Sequence, residues 1–274
     1  MSDNRNTTLT TPKVLVWSLI LTGSILSTLS IFNRYFKRYG TASDIPKNVF
    51  KKHFLKGKVT SVGDGDNFHF YHTPGGVLAG WGWFREIPEL ISIKESSEPF
   101  KPKKVKNSSK SFWQKFLFKN QDTASDYFMR LPVKYKNRRG LETISVRLCG
   151  VDAPERSHFG NPAQPFSEEA LRWLQHTLLG KDVWIKPLSI DQYGRCVAKV
   201  LYWSGLFSGY RDISLQMIEL GLGTVYAGSS QSAEFDGQEL KYRYEEGVAK
   251  MKKRGIWSLK HMETPAEYKK RIRS

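Results

Sequence analysis

Short alternating apolar runs, interspersed with three modest helices and preceded by one uncharged apolar stretch, predict an α+β barrel domain behind a single N-terminal transmembrane helix. Three features carry the prediction. Val14 to Phe32 is a run of 19 residues without a formal charge. Strand-like segments recur between polar, glycine-containing turns, and leucine stripes at helical spacing separate them. With 274 residues, 39% hydrophobic and 13% aromatic, the chain has enough apolar material for a packed core, which argues against global disorder. Length alone accommodates one sizeable domain or two small ones, and the spacing of the motifs favours one.

The first element is the apolar stretch. At about 1.5 Å per residue, a helix over 14–32 nearly matches a hydrocarbon core of about 30 Å. Its hydroxyls, Ser18, Thr22, Ser24, Ser27, Thr28 and Ser30, can bond to carbonyls of the preceding turn. A cleaved signal peptide is the competing reading, but little positive charge precedes the stretch and it is long for such a segment. A buried soluble helix is the other alternative. Arg34, Lys37 and Arg38 follow directly, whereas only Arg5 and Lys13 precede. The positive-inside tendency therefore places the C-terminal part on the cytosolic or matrix side.

Residues 1–13 read as a tail and 33–53 as a basic juxtamembrane linker, with the folded domain spanning 54–260 and a basic tail at 261–274. Lys58–Tyr71 reads as strand, turn and strand around Gly63-Asp64-Gly65-Asp66. The pattern lapses over 74–140, a long insertion with 14 Lys/Arg against 6 Asp/Glu and an aromatic cluster at Trp81, Trp83 and Phe84. It reads either as a basic loop or as an arm that contacts substrate or membrane. Strand character resumes at Thr143–Val151. Ser167 is a candidate cap for a helix whose stripe is Leu171, Leu174 and Leu178, with Gly180 to end it. Strands over Asp182–Pro187 and Cys196–Trp203 follow. Asp212 is a candidate cap for a second helix ending near Gly221, and a third runs over about Gln238–Arg254, closed by Gly255.

The formal charge of +17 attracts polyanions, either nucleic acid or an anionic membrane surface. Residues 1–32, with Arg5 and Lys13 against Asp3, hold only +1 of it. The two cysteines, Cys149 and Cys196, sit in apolar strand-like runs and read as buried small hydrophobes, with a bridge between them as the lesser alternative. His69 and His72 fall on opposite faces of a strand and read as surface residues. No Cys/His cluster offers a soft-metal site.

Chemistry concentrates in three short segments: Asp64-Gly65-Asp66, Arg147 through Asp152-Ala153-Pro154-Glu155, and Asp191-Gln192-Tyr193-Gly194-Arg195. Arginines can hold an anionic phosphate, and acids can hold a cation and a water. Taken singly, Asp64-Gly65-Asp66 is an ordinary turn, Glu155 a helix-start residue, and each arginine a surface ion-pair partner. Their joint occurrence favours a phosphodiester hydrolase.

These segments, in this order and with Gly255-Ile256-Trp257 after them, resemble the thermonuclease family, also called staphylococcal-nuclease-like domains. The resemblance covers about 54–260 without the insertion. It implies a five-stranded OB-fold barrel with three helices and calcium-dependent cleavage of DNA or RNA. By position, Asp66 and Asp152 would bind Ca2+ through their carboxylates and Ala153 through its backbone carbonyl, with Asp64 supporting them from behind. Glu155 would orient or deprotonate the attacking water, and Arg147 and Arg195 would hold the scissile phosphate. An N-terminal anchor combined with a long insertion is similar to fungal membrane-anchored mitochondrial endonucleases, which implies a mitochondrial membrane; the endoplasmic reticulum or another internal membrane is the alternative. No base-reading element is visible, so cleavage with little sequence preference is expected. The competing functional readings are a catalytically silent nucleic-acid-binding module and a scaffold on anionic membranes.

Overall fold

The computed structural model describes residues 12–88, 142–157, 161–227 and 234–272. The lysine-rich part of the 74–140 insertion lies outside the described residues. Leu55–Asp64 (β1) and Asn67–His72 (β2) form the expected antiparallel hairpin, longer at its start than the sequence pattern indicated. Ile144–Leu148 (β3) pairs with β2, Asp182–Ile190 (β5) with β1, and Cys196–Trp203 (β6) with β5, all antiparallel. A parallel pairing of β3 with β6 closes these five strands into a barrel. Val151–Asp152 (β4) pairs with Thr224–Val225 (β8), and Tyr210–Asp212 (β7) extends β6.

Closure explains the sequence pattern. On β3 the residues alternate between buried and half-buried, so Ile144, Val146 and Leu148 fill the interior with Val59, Phe68, Phe70, Ile185 and Val200. The helix Ser167–Leu178 (α2) lays Leu171, Leu174 and Leu178 into this core and contacts β1. Ser167 does not cap it. The preceding residue, Phe166, takes the left-handed conformation with φ 66°, and Ser167 is already helical, its N–H donating to Gln164 O at 3.2 Å. Asp212 does cap Ile213–Leu220 (α3), accepting from Leu215 N at 3.3 Å, and Gly221 ends that helix with φ 68°. Its other carboxylate oxygen accepts from Tyr242 Oη at 2.8 Å, which fastens Glu239–Met251 (α4) to α3. Gly255 opens a 3-10 turn over Gly255–Ser258. Cys149 and Cys196 are buried free thiols.

Two segments expected to lie outside the domain belong to its packing. In 33–53, Tyr39, Ala42, Ile45 and Val49 are buried in the same core cluster as the barrel interior. In 261–274, Pro265–Arg271 is a helix (α5) that starts with a capping box between Thr264 and Glu267 and buries Tyr268.

His72 also departs from expectation. It is buried, stacks on Tyr39 with ring centroids 4.9 Å apart, and accepts a hydrogen bond from Tyr39 N at Nδ1, 3.1 Å. The incoming 33–53 segment covers it. Burial, reinforced by Arg38 and Arg85, lowers its pKa to about 3. In the unfolded chain His72 takes up a proton near pH 6.5, which the native state refuses. Its contribution to stability is thus complete above about pH 6.5 and lost as pH falls towards 3. We expect His72→Gln to flatten the loss of stability between pH 6.5 and 4.5 in denaturant titrations; an unchanged slope would contradict the assignment. His69 is half-buried, 3.1 Å from Thr143 Oγ1.

The N-terminal helix Pro12–Tyr35 (α1) contains one span, Pro12–Asn33, long and apolar enough to cross a membrane. None of the hydropathic window in that span is buried within the protein. Three of its hydroxyls bond to the preceding turn: Ser18 and Ser24 donate to Leu15 O and Leu21 O, and Thr28 to Ser24 O, each at 2.8 Å.

Candidate active site

The three motif segments meet at one end of the barrel. Register accounts for the first meeting: β2 opposes Asn67 to Arg147 on β3, and Leu148 N donates to Asp66 O at 2.9 Å. This sets the β1–β2 turn beside the only arginine of β3. Gly65 allows the turn to approach the 152–155 loop, since a Cβ there would lie 2.8 Å from the Ala153 methyl. Gly150, at φ 67°, redirects the chain between β3 and β4 and brings Asp152 next to Arg147. The parallel β3–β6 pairing adds the Asp191–Arg195 turn.

A cavity of about 700 Å³ results, lined by Asp64, Asp66, Arg147, Asp152, Glu155 and Arg195. Six of the seven expected site residues therefore share one cleft. Ala153 is the exception: it is buried behind the wall with its methyl towards Gly65. Asn67, Gln192, Tyr193, Tyr226, Ala227, Ala266, Lys269 and Lys270 complete the lining.

The charges are arranged in alternation. Arg147 spans two acids, with Nε 3.4 Å from Asp66 Oδ2 and Nη2 3.4 Å from Asp152 Oδ1, and its guanidinium lies 4.8 Å from the Tyr226 ring centre. Asp152 has a side chain only 4% exposed, and burial pushes its carboxyl pKa up against the opposing pull of Lys269 and Arg147. Asp64 rises to about 6, chiefly through burial, although its Oδ1 accepts from Gly65 N at 2.8 Å. Arg195 is held by its own turn: Nε donates to Asp191 Oδ2 at 2.7 Å, while Asp191 Oδ1 accepts from Tyr193 N and Arg195 N at 2.9 Å. Asp191 thus sets the arginine's direction. Glu155 is placed through its backbone, its N–H donating to Gln164 Oε1 at 2.9 Å.

Lys269 is the site residue that the motifs did not reveal. From α5, its Nζ lies 2.8 Å from both Asp152 Oδ1 and Glu155 Oε1. Burial opposes its charge, yet the two carboxylates raise its pKa above the ordinary value. The signal for this helix was present in Thr264-Pro265-Ala266-Glu267, a capping box with proline at the first helical position. Nothing in that signal indicates which helix face meets the cleft.

Among the described residues, no three carboxylate, imidazole or thiol side chains are gathered closely enough to hold a metal alone. The donors that converge, Asp66 and Asp152 bridged by one guanidinium, are hard carboxylate oxygens in a largely buried position. Such a set fits a hard divalent ion whose remaining ligands are carbonyl and water, and it does not fit a thiolate- or imidazole-seeking metal.

A closed five-stranded barrel carrying acids and arginines from three separate segments in one cleft defines a nuclease-type OB barrel. The chain belongs to the staphylococcal nuclease homologue family, whose model matches residues 145–259. It is 55% identical over 282 residues to a Zygosaccharomyces rouxii protein named "Probable endonuclease LCL3", covering 99% of this chain and 100% of the relative. Proteins of the same name from Kluyveromyces lactis and Saccharomyces cerevisiae S288c are 53% and 51% identical, covering 95% and 94% of this chain and 94% and 95% of theirs.

Proposed function

We propose that this protein is a membrane-anchored, calcium-dependent endonuclease that hydrolyses phosphodiester bonds of DNA or RNA with little sequence preference. The convergence of Asp66, Asp152, Glu155, Arg147 and Arg195 on one cleft carries the reading. Asp66 and Asp152 would hold Ca2+, aided by the Ala153 carbonyl and water, with Asp64 behind them. When bound, the ion would polarise a phosphoryl oxygen and offset the repulsion between carboxylates and diester. Glu155 takes a proton from the attacking water, whose oxygen forms the new bond to phosphorus as the opposite P–O ester bond breaks; the leaving oxygen takes a proton from solvent, and Glu155 returns its own to solvent. Arg147 and Arg195 bear the charge that builds on the equatorial oxygens, and arginine suits this because its planar fork reaches two oxygens at once.

Membrane attachment is supported by α1 and by the loop after β2. That loop is fixed next to the helix end, where Arg85 Nη1 donates to Phe36 O at 3.3 Å. It exposes Val77, Leu78, Trp83 and Phe84, with Leu78 95% exposed. Aromatic and aliphatic side chains placed so close to a span suit the interface. We infer a mitochondrial membrane, with the barrel on the matrix or cytosolic side. The chain should stay in the membrane pellet through alkaline carbonate extraction, and release into the supernatant would contradict the anchor.

Internal cleavage is tested with covalently closed circular single-stranded DNA and circular RNA, using the full-length chain in detergent with calcium. Linearisation of a circle is the expected result. Degradation confined to linear substrates would overturn the endonuclease reading, and tight binding without any cleavage would favour the silent nucleic-acid-binding module.

A further inference from the structure

Lys269 sits between two carboxylates of the cleft. Its ammonium bridges Asp152, a proposed calcium ligand, and Glu155, the proposed base, at 2.8 Å each. The helix that carries it is firmly built into the cleft. Tyr268 is buried and its hydroxyl donates to Pro162 O at 2.6 Å. Gln164 ties the two sides together: its Oε1 accepts from Glu155 N at 2.9 Å, and its Nε2 donates to Glu263 O, just before α5, at 3.1 Å. The contact is thus a designed position of the fold's C-terminus on the loop that follows β4.

We propose that Lys269 is a resident counter-cation of the site, which competes with the divalent ion for Asp152 and masks Glu155 until the ion displaces it. The inference rests on the calcium reading above. Its physical basis is exclusion. One carboxylate oxygen cannot serve a lysine at hydrogen-bond distance and a divalent ion at coordination distance without forcing the two positive charges together. In the absence of ion, Lys269 shares the buried Asp152 carboxylate with Arg147 and occupies the Glu155 oxygen that would face the water. Once the ion is seated on Asp152, Lys269 withdraws, Glu155 is freed, and the N-terminal tie through Gln164 remains to hold the loop.

The test is a calcium titration by calorimetry on the full-length chain in detergent, with wild type, Lys269→Met, Lys269→Arg and Lys270→Met. Displacement lowers apparent affinity by the fraction of molecules in the competent state, so Lys269→Met should bind calcium about tenfold more tightly. Lys269→Arg, which keeps the charge, should remain near wild type. Lys270→Met removes the same charge from the same helix, and a much smaller change there separates direct competition from the general field. Unchanged or weaker binding by Lys269→Met overturns the proposal, as does an equal gain in Lys270→Met. Should Lys269→Met fail to fold, hydrogen exchange on wild type decides: calcium should accelerate exchange of the 266–271 amides, and unchanged or slowed exchange overturns it. Absence of calcium binding in both wild type and Lys269→Met refutes the calcium reading itself, which distinguishes that failure from failure of the competition.

Discussion

Glu155→Gln should abolish most cleavage while leaving nucleic-acid binding nearly intact. Glutamine has almost the same shape, the backbone bond from residue 155 to Gln164 does not involve the lost charge, and the arginines proposed to meet the phosphate are untouched. What disappears is the proposed proton acceptor, a loss that typically slows turnover about 10²–10⁴-fold. Binding measured by fluorescence anisotropy, beside single-turnover cleavage, separates the two effects. A variant that cleaves at the parental rate would remove Glu155 from the mechanism, and one that fails to bind would make it a substrate contact.

Arg195→Lys is expected to have the second-largest effect, and it is cleaner than the equivalent change at Arg147. Arg147 bridges Asp66 and Asp152 in a largely buried position, so replacing it disturbs both acids and the barrel end. Arg195 is fixed by the Asp191 turn, and two of the turn's hydrogen bonds come from backbone N–H groups that lysine retains. The substitution therefore keeps the turn and one positive charge but loses the fork. Removing such a donor typically costs about 2.7–4 kcal/mol of barrier, roughly 10²–10³ in rate. The fall should appear in kcat, with little change in KM and in the thermal midpoint. A rate within a few-fold of the parent would show that only charge matters at this position.

The barrel was readable because its strands alternate and its turns carry the site residues, so periodicity and chemistry pointed to the same places. Phe68 and Phe70, alternating with Asn67 and His69, are buried as their spacing indicates. Asp212 and Gly221 bracket α3 as cap and terminator. Elements that add to the barrel from outside were harder to read. Tyr39, Ala42, Ile45 and Val49 recur every three or four residues, but Gly40, Ser43 and Pro46 break up the run, and all four are core because the segment packs onto the barrel. His72 followed from the same omission: its strand position is apparent, but its burial depends on Tyr39 from that segment. Within the site, the Arg147 and Glu155 segments were identified by motif, whereas Lys269 was not, since one lysine among several in a basic stretch carries no local mark. Ser167 failed as a cap because the turn at Gln164–Phe166 had already started the helix.

The central claim is that three distant segments form one metal-dependent hydrolytic site. Its most direct test is a calcium titration of cleavage by the full-length chain, run beside Glu155→Gln on single- and double-stranded substrates. The account predicts a saturable rise of wild-type cleavage with calcium, complete loss in excess chelator, and a flat, near-zero response from Glu155→Gln. Undiminished wild-type cleavage in excess chelator, or a Glu155→Gln curve that overlays the wild type, would contradict it.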